Sequence, residues 1–278
     1  MKMRGNANAR NTIRGNGSRH GAAGTQLPSG KTAKASMAQN IYDRPEFFAG
    51  YSRLARSVAG LSGAPEWPAL KAMLPDIRGR RVVDLGCGFG WFCRWAAEAG
   101  ASEVLGLDLS QNMLARARAE TPHGVVSYQV ADLETLELGE GSADLIYSSL
   151  AFHYVADAAR LYAGIHKALA PGGHLVFSTE HPIFMASTSA GWREIEPGVR
   201  TWPVDHYFVE GARSTDWLSA GVVKYHRTLG TTLNALIRAG FTITHVEEFC
   251  PTPAQFTANP ALAEEVERPM FLLVSAMR

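Results

Sequence analysis

Three glycines alternate behind an aspartate in Asp84-Leu85-Gly86-Cys87-Gly88-Phe89-Gly90, directly after the apolar pair Val82-Val83. Glycines so placed let the backbone turn tightly and let a ligand lie directly on the main chain. The spacing is not that of a dinucleotide loop. Counted from Gly86, the last glycine of GxGxxG would fall on Trp91. A carboxylate heading the loop repels a pyrophosphate and attracts an ammonium. The loop therefore suits a ligand with an amino group, held by Asp84 directly or through water. Two more carboxylates follow. Asp108, in Gly106-Leu107-Asp108-Leu109-Ser110, can accept both hydroxyls of a ribose, or it simply caps the segment before Ser110. Asp132, in Ala131-Asp132-Leu133, can accept an adenine amino hydrogen while Leu133 packs on the ring edge, or it starts a helix. Met113 packs either on the same ring or in the core.

These residues need a scaffold that delivers them to one edge, and the flanking pattern supplies one. Arg81–Leu85, Glu103–Asp108, Val125–Val130, Ala143–Ser148 and Gly173–Thr179 read as strands. Helices are predicted over Trp91–Ala99, from an N-cap at Ser110 to Ala119, and from Asp157 to Ala170. This alternation predicts an α/β fold, a largely parallel sheet with helices on both faces, and ligands at the carboxyl ends of its strands. Residues 44–57 carry Phe47, Phe48, Tyr51 and Leu54 at helical spacing and predict an N-terminal helical lid. A second short helix is predicted at 67–74. The rhythm breaks over 181–227, an insertion after the fifth strand that is rich in Trp, Tyr and His. A helix over Thr228–Ala239 and strands over Phe241–Phe249 and Met270–Ala276 close the chain.

The ordered set DLGCGFG, GLDLS with NML, ADLE, DLIYSSLAFHYV and LAPGGHLVFS resembles the class I S-adenosylmethionine-dependent methyltransferases, strongly over residues 80–180. The resemblance implies a Rossmann-like seven-stranded sheet in the order 3-2-1-4-5-7-6, with the last strand antiparallel. It implies S-adenosyl-L-methionine as cofactor. Asp84, Gly86, Gly88 and Gly90 would then line the methionine part, with Ser148 or Ser149 nearby. Asp108 with Leu109 would hold the ribose, and Asp132, Leu133 and Met113 the adenine. Tyr51 approaches the sulfonium by a cation–π contact or serves only in helix packing.

Methyl transfer is an in-line displacement from an activated donor, so a base is needed only when the acceptor must lose a proton. His181, directly after the fifth strand, is the first candidate, then His153, then His226. The aromatic insertion 181–227 is expected to cap a small organic acceptor, or to pack on itself. No Asn/Asp-Pro-Pro-Tyr motif follows the fourth strand, which argues against amino methylation of nucleic acids. Methylation of a protein or RNA, and a nicotinamide-dependent oxidoreductase, are the alternatives. No metal site is expected, because no acidic cluster has recognisable ligand spacing.

Composition bounds the rest. The 278 residues, 46% of them hydrophobic, suffice for one full core with a cap, and no stretch reaches the length of a membrane helix. Cys87, Cys93 and Cys250 form no CxxC pair, and a reducing, cytoplasmic setting is expected. Residues 1–42 hold four Arg, three Lys and no acid, which leaves the remainder at −6. The expected domain, 41–278, thus has no evident basic face for a phosphate backbone. Residues 1–40 read as a disordered basic tail. Their composition also fits a transit peptide, an over-called start ahead of Met37, or a nucleic-acid-binding arm.

Overall fold

The computed structural model describes residues 38–278. Residues 1–37 of the expected basic tail lie outside it. Residues 38–40, also assigned to that tail, form part of an arm bonded to the domain.

Among the described residues, short helices α1 (Pro45–Tyr51), α2 (Ala55–Val58) and α3 (Trp67–Met73) come first. Then come β1 (Arg81–Leu85), α4 (Trp91–Glu98), β2 (Glu103–Asp108), α5 (Gln111–Glu120), β3 (Val126–Val130), β4 (Ala143–Ser149), α6 (Ala158–Ala168) and β5 (Leu169–Glu180). The insertion contains α7 (Pro182–Ala186) and strands β6 (Arg193–Glu196), β7 (Val199–Thr201), β8 (Gly211–Trp217) and β9 (Ser219–His226). Helix α8 (Leu229–Arg238), β10 (Thr242–Glu248), α9 (Pro253–Ala258) and β11 (Phe271–Met277) complete the fold.

Seven strands form one sheet in the order β10-β11-β5-β4-β1-β2-β3. Strand β11 runs antiparallel to both neighbours, and the other pairings are parallel. This is the expected order, with β10 and β11 in the sixth and seventh places. Strand alternation sorts the core into two layers. Val83, Leu85, Ile146 and Phe177 pack with α6 and α8, whereas Val82, Leu145, Tyr147 and Val176 pack with α3, α4 and α5. The strand order reverses between β1 and β4, so a crevice opens at their carboxyl ends. No helix among the described residues is long and apolar enough to cross a membrane.

Two expectations need correction. The helix predicted over 44–57 breaks into α1 and α2, because Ser52 Oγ bonds back to Phe48 O at 2.7 Å and Leu54 is extended. The insertion is not irregular. Beyond α7 it forms two antiparallel hairpins, β6-β7 and β8-β9.

Candidate functional site

Main-chain bonds shape the loop after β1. Gly86 N–H and Cys87 N–H both donate to Leu107 O, at 2.8 and 2.9 Å, which clamps the loop onto β2. Gly86, Gly88 and Gly90 all have positive φ. Their surroundings differ. A Cβ on Gly86 would strike Ala151, and one on Gly90 would strike the Tyr128 hydroxyl, whereas one on Gly88 would meet nothing within 4 Å. Gly88 thus offers bare backbone to open space, the surface a ligand can lie on. Beside it, Asp108 Oδ2 accepts Gly88 N–H at 2.9 Å and Oδ1 accepts Ser110 N–H at 2.9 Å. Each oxygen keeps a further lone pair for a hydroxyl donor. Burial pushes the Asp108 carboxyl above its ordinary range, while these amide bonds pull it down.

One continuous cavity of about 1390 Å³ lies over this edge. A single small ligand usually occupies about 300–1,000 Å³, so there is room for two. Eight of the expected cofactor residues line it: Tyr51, Gly86, Gly88, Asp108, Leu109, Met113, Asp132 and Leu133. Three do not. Gly90 has left-handed backbone at the start of α4. Ser148 Oγ is buried and bonded to Leu85 O at 2.7 Å, and its neighbour Ser149 takes the place on the wall. Asp84 is buried beneath the loop, where it accepts the Cys93 thiol at 3.3 Å. Burial raises its pKa to about 7, with Asp108 adding to the rise and the Cys93 bond opposing it.

An arm over residues 38–43 lines the cavity through Ala38, Gln39 and Tyr42. Ala38 N–H donates to Asp132 Oδ2 at 3.2 Å, while Glu134 N–H occupies Oδ1. Asp43 accepts the Ser110 hydroxyl and the Asn112 N–H, closing the start of α5. Gln39 exchanges two hydrogen bonds with β9, through Gly221 O and Val223 N. The arm therefore ties the glycine-loop side to the insertion.

The far side of the cavity is aromatic and carries a buried charge pair. Tyr42, Phe47, Tyr51, Tyr154 and Trp217 meet edge to face or stacked, with centroids 4.8–6.4 Å apart. Among them Lys224 Nζ pairs with Glu180 Oε1. Burial pushes the Glu180 carboxyl upward and Lys224 pulls it back. His153 also lines the wall. Its Nδ1 accepts Glu180 N–H at 3.4 Å, and its Nε2 lies 4.0 Å from Glu180 Oε1. Burial, together with Lys224 and Arg227, holds this imidazole neutral well below its ordinary pKa. With Nδ1 accepting, the single ring proton sits on Nε2.

The other two histidines face away from the cavity wall. His181 caps α7 through Nδ1, which accepts Ile183 N–H at 3.1 Å, and its Nε2 meets Glu248 at 2.9 Å. His226 Nε2 bonds to Tyr207 O at 2.8 Å, and its Nδ1 is buried without a partner. Strand alternation explains the exchange of Glu180 for His181 at the wall, because successive side chains at the end of β5 point to opposite faces. That parity was a signal available in the sequence. Lys224 gave no comparable signal, since a lysine on a strand reads as solvent-facing.

A family model for the methyltransferase domain matches residues 83–177. Among solved structures, the chain is similar to an S-adenosylmethionine-dependent methyltransferase from Mesorhizobium loti. The two are 68% identical with a TM-score of 0.76, over 79% of this chain and all, 100%, of that one. A Listeria monocytogenes structure provisionally assigned to the same class is 42% identical, with a TM-score of 0.74, over 79% of this chain and 99% of that one. Among curated proteins, the malonyl-[acyl-carrier protein] O-methyltransferase of Erwinia billingiae is 35% identical over 119 residues, 43% of this chain and 46% of that one. The chain thus spans about half the length of that relative.

Proposed function

The chain belongs to the S-adenosylmethionine-dependent methyltransferases, and we propose that it methylates a small organic acceptor held in the aromatic half of the cavity, with Glu180 receiving the acceptor's proton. The nicotinamide alternative falls with the family assignment. The observation that carries the acceptor reading is the continuity of a single cavity from Gly88 and Asp108 to the Lys224–Glu180 pair.

S-adenosylmethionine is the cofactor, and when bound it supplies a methyl group already activated on a positively charged sulfur. The open backbone at Gly88 and the spare acceptor capacity of Asp108 fit its amino-acid and ribose parts. Asp132 is suited to the adenine amino group, with Leu109, Met113 and Leu133 as apolar walls. What remains for the protein is to orient the acceptor, keep water out and take a proton. The aromatic wall serves the first two tasks. For the third, Glu180 fits better than His153, whose Nδ1 is already engaged and whose Nε2 carries hydrogen. General-base help of this kind contributes about 10²–10⁴-fold.

The malonyl-[acyl-carrier protein] relative supplies a second reading, a carboxyl acceptor. Both readings meet one experiment. Purified protein is titrated with S-adenosylmethionine and S-adenosylhomocysteine by calorimetry, then assayed for S-adenosylhomocysteine release with phenols, amines, carboxylates and a malonyl thioester. Cofactor binding with turnover on a free small molecule supports the first reading. Turnover confined to the malonyl thioester replaces it with the second.

A further inference from the structure

We propose that the acceptor is a flat molecule bearing a weakly acidic hydroxyl, a phenol or enol, and that the Lys224–Glu180 pair recognises it by exchanging ion-pair partners. The inference rests on the methyltransferase reading of the same cavity and names the substrate class within it.

The pair is unusually dry for two charges. The Lys224 and Glu180 side chains are 5% and 13% exposed. Lys224 Nζ lies 5.0 Å from the Trp217 ring centroid and 6.0 Å from that of Tyr154. Charges so enclosed tolerate little change in their sum, because an uncompensated buried charge costs several kcal/mol. This selects among acceptors. A permanent anion would bring a second negative charge to Glu180 with one ammonium between them. The other cationic side chains on the wall, among the described residues, are committed elsewhere. Arg56 is paired with Glu66 and Arg268 with Glu265. Arg213 is bonded to the carbonyls of Ala186, Ala212 and Val209. A permanent cation would meet the Lys224 ammonium.

A neutral hydroxyl avoids both penalties. Its O–H bond breaks, the proton binds a Glu180 carboxylate oxygen, and the electron pair left on the acceptor oxygen takes the place of the carboxylate beside Lys224. One positive and one negative charge are present before and after. Glu180 is prepared for the proton by its burial, while Lys224 favours the new oxyanion. The groups that face the pair are compatible with this exchange. His153 is neutral, and the Tyr42, Tyr51 and Tyr154 hydroxyls are held protonated, chiefly by burial. The edge-to-face walls of Tyr51 and Trp217 favour a ring as the body of the acceptor.

The test uses full-length protein saturated with S-adenosylhomocysteine and three probes of one shape. These are 4-nitrophenol, 4-nitroanisole, which has no proton to give, and 4-nitrobenzoate, a permanent anion near neutral pH. The yellow phenolate band reports the ionisation of bound 4-nitrophenol directly. We expect that ionisation to move down by about one pH unit or more on binding, a tenfold change in the equilibrium. We expect the other two probes to bind at least about tenfold more weakly. Lys224→Met should abolish the shift, whereas Glu180→Gln, which leaves the Lys224 ammonium without its carboxylate, should keep or deepen it; both should keep S-adenosylhomocysteine affinity within about twofold, which also certifies the fold. Bound 4-nitrophenol that ionises as it does in water overturns the proposal, and so does equal binding of 4-nitrobenzoate. If a variant fails to fold, the three wild-type titrations decide alone. If wild-type protein does not bind S-adenosylhomocysteine, the methyltransferase reading itself fails. If it binds and the probes do not discriminate, only the acceptor class falls.

Discussion

Asp108 is the residue on which cofactor affinity is expected to turn. Its carboxylate is already oriented by Gly88 and Ser110 amides, so a ribose would meet a preformed acceptor. Hydrogen bonds to a charged group contribute about 1.5–3 kcal/mol. Asp108→Ala should therefore weaken S-adenosylhomocysteine binding by about 10–150-fold in calorimetry, and near-wild-type affinity would remove Asp108 from the site. Asp84 makes a different prediction. Burial raises its pKa to about 7, well above the ordinary carboxylate range, so between that range and 7 the folded state holds a proton that the unfolded chain has lost. Its contribution to stability is full below the unfolded value and is lost as pH rises towards 7. The variant Asp84→Asn cannot ionise, so urea midpoints at pH 5 and pH 8 should lie closer together in it than in wild type. A variant that kept the wild-type difference would show the carboxyl titrating normally.

Elements with a regular period were legible from the sequence, and those whose inward positions are polar were not. Strands β1 and β2 lie where the apolar runs put them, and Ser110 caps α5 by accepting Met113 N–H. Replacing it, Ser110→Ala, should cost about 0.5–2 kcal/mol in thermal or urea unfolding. The upper part of that range is expected, because the same hydroxyl also donates to Asp43. Within the core, Leu145 of β4 is fully buried in the layer shared with α3, α4 and α5, and Leu145→Ala should cost about 2–5 kcal/mol. The β8-β9 hairpin escaped notice for a physical reason. Its buried face includes Arg213, Lys224 and His226 as well as Val222, so burial alternates along it while hydrophobicity does not. A strand that lines a polar chamber inverts the usual code. The same cause hid Glu180, which looked like an ordinary charged strand end beside a more suggestive histidine. The glycine loop stayed legible because its constraint is backbone geometry, which no neighbouring element can disguise.

Across the whole molecule, Gly88, Asp108 and Asp132 on one side of the cavity and Glu180 and Lys224 on the other are joined by the arm over residues 38–43. The Gln39 side chain hydrogen-bonds to β9, whereas Ala38 and Asp43 bond to Asp132, Ser110 and Asn112. Gln39→Ala deletes two hydrogen bonds, each worth about 0.5–1.5 kcal/mol when intact. It is expected to weaken S-adenosylhomocysteine binding several-fold without touching the nucleoside bed, whereas an unchanged dissociation constant would mean that the two sides are fastened independently. A clasp shared by the two sides of one cavity has a kinetic corollary. Release of the arm is expected to loosen both sides in one event, so a viscous cosolvent should lengthen the dwell time of both products together.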